Sequence, residues 1–217
     1  TIAASGFGNV CWGICTKAAQ LGAKVVTLSG PDGYVYDPDG VCTKEKIDFL
    51  LEMRASGHDK VQDYADKFGC QFVAGEKPWG VKADIIMPAA TQNDVNMEQA
   101  KKIVANGIKY YIEVANMPTT NDALRYLMDQ KNMIVAPSKA VNAGGVSVSG
   151  LEMSQNQEHL SWTAEEVDTK LRQIMKNIHD SSAAAAERYG LGYNLVAGAN
   201  IVGFQKVADA MMAQGIF

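Results

Sequence analysis

No stretch of this 217-residue sequence approaches the ~20 consecutive apolar residues a helix needs to cross a bilayer. No charged segment precedes an apolar one at its start either, so neither a membrane span nor a leader is expected, and the expected location is cytoplasmic. Cysteine is scarce: Cys11, Cys15, Cys42 and Cys70 form no Cys-x-x-Cys pair, which leaves small buried thiols in a reducing compartment as the expectation. The three histidines, His58, His159 and His179, are scattered and match no His-Glu-x-x-His pattern. No metal site is therefore expected, although Cys11 and Cys15 would share one face of a helix. Dense basic clusters are missing too. With 20 Lys+Arg against 24 Asp+Glu and a net charge of −4, nothing could neutralise a row of phosphates, and polynucleotide binding is not expected.

What remains is ordinary globular composition, 47% hydrophobic and 20% charged, which excludes disordered and collagen-like chains. Apolar β-rich runs alternate with segments of helical period. Strands are expected at 2–5, 24–28, 71–73, 84–87, 110–114 and 133–136, with helices near 9–21, 43–55, 60–68, 97–105 and 120–130. Parallel strands joined by right-handed helical crossovers account for this order. The fold expected is α/β, a Rossmann-type, doubly wound, mostly parallel sheet with additional C-terminal helices. Residues 137–145 read as a loop of small residues, followed by helices near 148–155, 163–188 and 201–213. Capping pairs are expected at Asn96 with Gln99 and Thr163 with Glu166. The division expected is a 1–150 core that binds the cofactor and 151–217 helices packing on it. Because the first residues already form the strand that enters the first turn, the chain is expected to be part of a longer protein.

Gly6-Phe7-Gly8-Asn9-Val10-Cys11 follows a strand and opens a helix, the context that makes a glycine pattern a dinucleotide site. Gly6 permits the turn, Gly8 admits a pyrophosphate to the backbone, and the helix amides face its charge. Cys11 stands where a small third residue is required. After the second strand, Asp32, which follows Pro31, can accept hydrogen bonds from adenosine ribose hydroxyls; a plain Pro-Asp-Gly turn is the competing reading. Between Ser29 and Thr43 there are three acids, Asp32, Asp37 and Asp39, and no Lys or Arg. A 2′-phosphate there would meet repulsion, so NAD is expected over NADP.

Several further segments resemble the glutamate dehydrogenase family: Gly6 to Val10, Pro88 to Asn93, Glu113 to Thr120, Ala140 to Asn156, Trp162 to Asp168 and Gly198 to Phe204. The resemblance runs through essentially the whole chain. It implies reversible oxidative deamination of L-glutamate to 2-oxoglutarate and ammonia, with hydride transfer to the nicotinamide of NAD. It also implies cofactor contacts at Gly6, Phe7, Gly8, Asn9, Val10, Pro31, Asp32, Ala90, Thr91, Gln92, Asn116 and Asn142, and substrate contacts at Asn142, Val146 and Ser149. Read from the residues alone, Thr91, Gln92, Asn116 and Asn142 are neutral hydrogen-bonding groups beyond strand ends, where ligands of such sheets sit, or turn residues. Ser149 read alone is a serine at a helix start, where capping is the default.

In this family the proton-transferring Lys and Asp lie in a preceding domain that also supplies the interface for glutamate, and the full protein is a homohexamer. No catalytic residue is therefore assigned to this chain, Lys139 included, and it is expected to be inactive alone. Two other readings stay open: a stand-alone nucleotide-binding module, and a dehydrogenase of branched-chain or aromatic amino acids. Ser149 argues against the latter, since an aliphatic side chain would leave its hydroxyl unpaired. The apolar stretch 201–207 is expected to be exposed when the rest of such a protein is absent.

Overall fold

The computed structural model describes residues 1–215. The elements run β1 (Ile2–Ala4), α1 (Asn9–Gln20), β2 (Val25–Gly30), β3 (Gly33–Tyr36), α2 (Lys44–Ser56), α3 (Gln62–Phe68), β4 (Gln71–Ala74), a 3-10 turn (Pro78–Gly80), β5 (Ile85–Met87), α4 (Met97–Ala105), β6 (Tyr110–Ile112), α5 (Asn121–Met128), β7 (Ile134–Ala136), α6 (Ser138–Val141), α7 (Ala143–Glu158), α8 (Ala164–Arg188) and α9 (Leu195–Gln214). They form two compact units, Thr1–Ile134 and Val135 onward.

The sheet has seven strands in the order β4-β3-β2-β1-β5-β6-β7. β1 pairs in parallel with β2 and β5, and β5 with β6. The mostly parallel α/β architecture is thus the one expected. Its strands are short, and the central ones are closed to water: β1 and nearly all of β2 are buried, as strands covered on both faces require.

β3 has no counterpart among the strands expected from the sequence. It pairs antiparallel with both β2 and β4, and only Pro31 and Asp32 separate it from β2. The hairpin closes on Gly33, whose φ is 148° and whose added β-carbon would overlap the carbonyl oxygen of Val73. Only glycine fits there.

The core of the first unit lies between α1, α2, α3 and the sheet, around Cys11, Cys15, Leu28, Val35, Leu50 and Tyr64. A carboxylate is built into it. Asp37, almost fully buried, accepts hydrogen bonds from Lys46 Nζ at 2.6 Å and Tyr64 Oη at 2.8 Å, and from the amides of Asp39 and Gly40. Burial alone would push this carboxyl up, but the ammonium and hydroxyl outweigh it and hold it below its ordinary range. Burial, and the Asp37 carboxylate that the hydroxyl donates to, push the Tyr64 phenol up.

In the second unit α8 starts with the expected reciprocal cap: Thr163 Oγ1 accepts from the Glu166 amide at 3.2 Å, and Glu166 returns to the Thr163 amide at 2.7 Å. The Asn96 cap of α4 is only half of such a box. Its side chain accepts from the Gln99 amide, but Gln99 Oε1 is buried without a partner. Residues 137–145, expected as a loop, are mostly helical, and α9 begins at Leu195 rather than near 201. α8 and α9 cross where Gly198 meets the Ser182 backbone. On α9, Phe204 is 72% and Met212 82% exposed. Among the described residues no helix is long and apolar enough to cross a membrane.

Candidate cofactor cleft

β1 delivers the chain into a turn that a side chain would not permit. Gly6 has φ +88°, and a β-carbon on it would sit 3.0 Å from the carbonyl oxygen of Ala89. Gly8 then occupies the N-cap of α1 in an extended conformation, with no side chain capping the helix, so the first amides of α1 are open toward solvent. Cys11, one turn on, is fully buried, which a small side chain at that position allows.

Hydroxyls take over backbone pairing next to this turn, where the β1–β2 register shifts. Thr27 Oγ1 both accepts from the Ala4 amide and donates to the Ala4 carbonyl, each at 2.8 Å. Ser29 Oγ accepts from the Gly6 amide at 3.0 Å, and Ser5 Oγ from the Ala89 amide at 3.1 Å. All three are buried, so the turn is held by polar contacts that water cannot loosen.

The turn forms one wall of a cleft of about 840 Å³, a size suited to a small ligand. Gly6, Phe7, Gly8, Asn9, Val10, Pro31, Ala90 and Thr91 line it, together with Ser29, Gly30, Arg54, Asp59, Lys77 and Ala89. Of the cofactor residues expected within the first unit, Asp32, Gln92 and Asn116 are not part of this lining. Asp32 is engaged elsewhere: its two carboxylate oxygens accept from the amides of Val61 and Gln62, each at 3.1 Å. It therefore closes the β2–β3 turn onto the start of α3. Each oxygen keeps a further lone pair.

Gln92 and Asn116 lie in loops after β5 and β6 that are fastened to each other. The Asn93 amide donates to Met117, the Val95 amide to Pro118, and the Thr120 amide back to Val95. Below them Tyr111 Oη and Thr119 Oγ1 share a buried hydrogen bond of 2.6 Å. Burial pushes the Tyr111 phenol up, so it stays protonated.

Asn142, Val146 and Ser149 belong to the second unit. Asn142 is the N-cap of α7, and the spacing of the three puts them on one stripe of that helix, all exposed. Ser149 is well inside α7 and donates to the Gly145 carbonyl at 3.3 Å. It is not at a helix start, and the capping expected of it does not occur. Lys139 donates to Asn200 Oδ1 in the same unit.

The sequence reading missed Arg54 and Lys77. The Arg54 guanidinium reaches over the turn, with Nη1 3.1 Å from the place of a β-carbon on Gly8. Nothing near the glycine pattern in sequence points to it, since it comes from the far end of α2. The absence of cations between Ser29 and Thr43 thus does not extend to the whole cleft.

A family profile described as Glutamate/Leucine/Phenylalanine/Valine dehydrogenase matches residues 1–215. The NAD-specific glutamate dehydrogenase of Clostridium symbiosum is 79% identical over 216 residues, covering 100% of this chain and 48% of that protein. At 47% identity over 221 residues, the NADP-specific glutamate dehydrogenase of Haemophilus influenzae also covers 100% of this chain and 48% of its own length. A solved glutamate dehydrogenase structure, 79% identical, superposes with a TM-score of 0.97 over 99% of this chain and 48% of that one. The chain spans about half the length of the curated relatives it matches.

Proposed function

Because the chain belongs to the glutamate/leucine/phenylalanine/valine dehydrogenase family, we propose that it is the dinucleotide-binding part of an NAD-dependent glutamate dehydrogenase. The observation that carries this is the Gly6–Gly8 turn: a strand-to-helix junction with φ +88° at Gly6 and an uncapped helix N-terminus opening on the cleft. Backbone amides at such a terminus, with the Arg54 cation above them, fit a diphosphate. Phe7, Asn9 and Val10 continue the same wall, Pro31 lies toward the adenosine, and Ala90 and Thr91 toward the nicotinamide. Gln92 and Asn116 are held in the fastened loops beyond β5 and β6, and Asn142, at the start of α7, is read as a further cofactor residue.

NAD, when bound, supplies the hydride acceptor for oxidation of L-glutamate to 2-oxoglutarate and ammonia. In this reading Asp32 accepts from the ribose hydroxyls through lone pairs left free by Val61 and Gln62, and a 2′-phosphate meets its charge. Val146 and Ser149, one turn apart on α7, face the substrate together with Asn142. Residues 1–150 form the cofactor core, although the cut at 150 falls inside α7. The helices beyond turn toward the portion that brings the proton-transferring groups. No such group is assigned here. A cytoplasmic homohexamer completes the reading.

Titration of the chain with NAD and NADP tests the cofactor assignment: saturable NAD binding, with NADP at least about tenfold weaker, is expected, a difference of roughly 1.4 kcal/mol. Glutamate oxidation is expected only when the preceding portion of the protein is supplied. Turnover by the chain alone would overturn the placement of the proton chemistry.

A further inference from the structure

Lys77 is fixed in place in a way a solvent-facing lysine is not. Its Nζ lies 2.6 Å from Asp94 Oδ1, whose side chain is 0% exposed, while its own side chain remains 41% exposed. Asp94 Oδ2 is buried without a partner, so this carboxylate depends on the ammonium, and the ammonium is tied to one spot. An ammonium carries three protons. Asp94 is its only hydrogen-bond partner among the described residues, and the remaining protons are available to the cleft that Lys77 lines.

Its neighbours place it at the mouth. Gly75, two residues earlier, donates to the Asp32 carbonyl, and Asp94 directly follows the Thr91-Gln92-Asn93 loop. Lys77 therefore stands between the β2–β3 turn and the loop after β5. A dinucleotide reaching from one to the other carries its two negative charges along that path.

We propose that Lys77 is a diphosphate-binding residue of the cleft and that Asp94 is the residue that positions it. This deepens the dinucleotide reading above and rests on it.

The test is equilibrium titration with NAD, ADP-ribose and adenosine at several salt concentrations. Lys77→Gln is expected to weaken NAD and ADP-ribose by about tenfold and to flatten the dependence of their Kd on salt, while leaving adenosine unchanged. Lys77→Arg retains most of the affinity. Lys44→Gln, on the exposed face of α2, makes the same change of net charge and should leave every Kd unchanged. If Lys77→Gln strands Asp94 and fails to fold, the double variant Lys77→Gln/Asp94→Asn removes the stranded charge and should show the same loss. Asp94→Asn alone should weaken NAD by less than Lys77→Gln, with the salt dependence of the parent. Parent affinity and salt dependence in the Lys77→Gln or double variant would overturn the proposal for Lys77. A lower Tm with unchanged NAD affinity in Asp94→Asn would overturn the role of Asp94. If the parent itself binds no dinucleotide, the reading beneath both is wrong.

Discussion

Gly198 lies so close to Ser182 that a β-carbon on it would overlap the Ser182 carbonyl oxygen. The obstacle is helix backbone within two turns of the end of α8, which cannot swing away as the end of a side chain could. Gly198→Ala should therefore force α8 and α9 apart and destabilise the second unit by about 3 kcal/mol or more, at the upper end of overpacking effects. Thermal unfolding followed by circular dichroism checks this, and an unchanged Tm would refute it.

Gly8→Ala and Gly6→Ala should separate binding from folding. A methyl at Gly8 meets only the movable end of Arg54, whereas one at Gly6 meets the Ala89 backbone and needs a left-handed conformation as well. Gly8→Ala is expected to keep the parent Tm within about 2 °C, a loss under roughly 1 kcal/mol, yet bind NAD at least about tenfold more weakly. Gly6→Ala should lose both. Equal NAD affinity in Gly8→Ala would remove the cleft assignment.

The neighbourhood of this turn was legible because it is local. One strand, two glycines and a helix follow each other within a few residues, and each residue type has one physical use there. β3 was hidden for the opposite reason: Gly33 to Tyr36 is short and flanked by Asp32, Asp37 and Asp39, and its pairing with β4 is set by residues far along the chain. Residues 143–145, with Gly144 and Gly145, read as the end of a loop by propensity. They are helical in the structure, with Gly144 against Met175 of α8, a tertiary packing that propensity does not see. Lys77 and Arg54 escaped because a cation is conspicuous only when its sequence neighbours share its task.

Lys46→Met should expose the dependence of Asp37 on its partner. At neutral pH it breaks a buried pair, a change that costs about 3–5 kcal/mol. Because the folded carboxyl lies below its ordinary value of 3.8, the pair's contribution is present above that value and is lost as pH falls through the lower folded one. The Tm gap between parent and variant should accordingly narrow on acidification below about pH 4. A gap independent of pH would mean that Lys46 acts by packing alone.

Thr27→Val removes the hydroxyl that satisfies both polar groups of Ala4 at nearly constant volume. The cost expected is about 2–3 kcal/mol, since two buried backbone groups lose their partner. Urea titration, with Leu28→Met as a comparison of similar burial, would show whether the hydroxyl or the packing matters.

Thiol labelling should follow burial. Cys11 and Cys15 are fully enclosed, and the Cys15 thiol is pushed up by its hydrogen bond with Cys11 and by burial. Iodoacetamide on the native chain should modify Cys42 first and reach Cys11 and Cys15 only after unfolding, as mass spectrometry would show.

Asp32 holds the tip of a hairpin and the first amides of α3 with the same two oxygens. On the proposed reading of Asp32, selection for a different nucleotide could not exchange this residue freely, because the scaffold would slacken with it. Lineages that change coenzyme would first have to stabilise the entry to α3 by some other route, or leave the acid in place and adjust the charges around it.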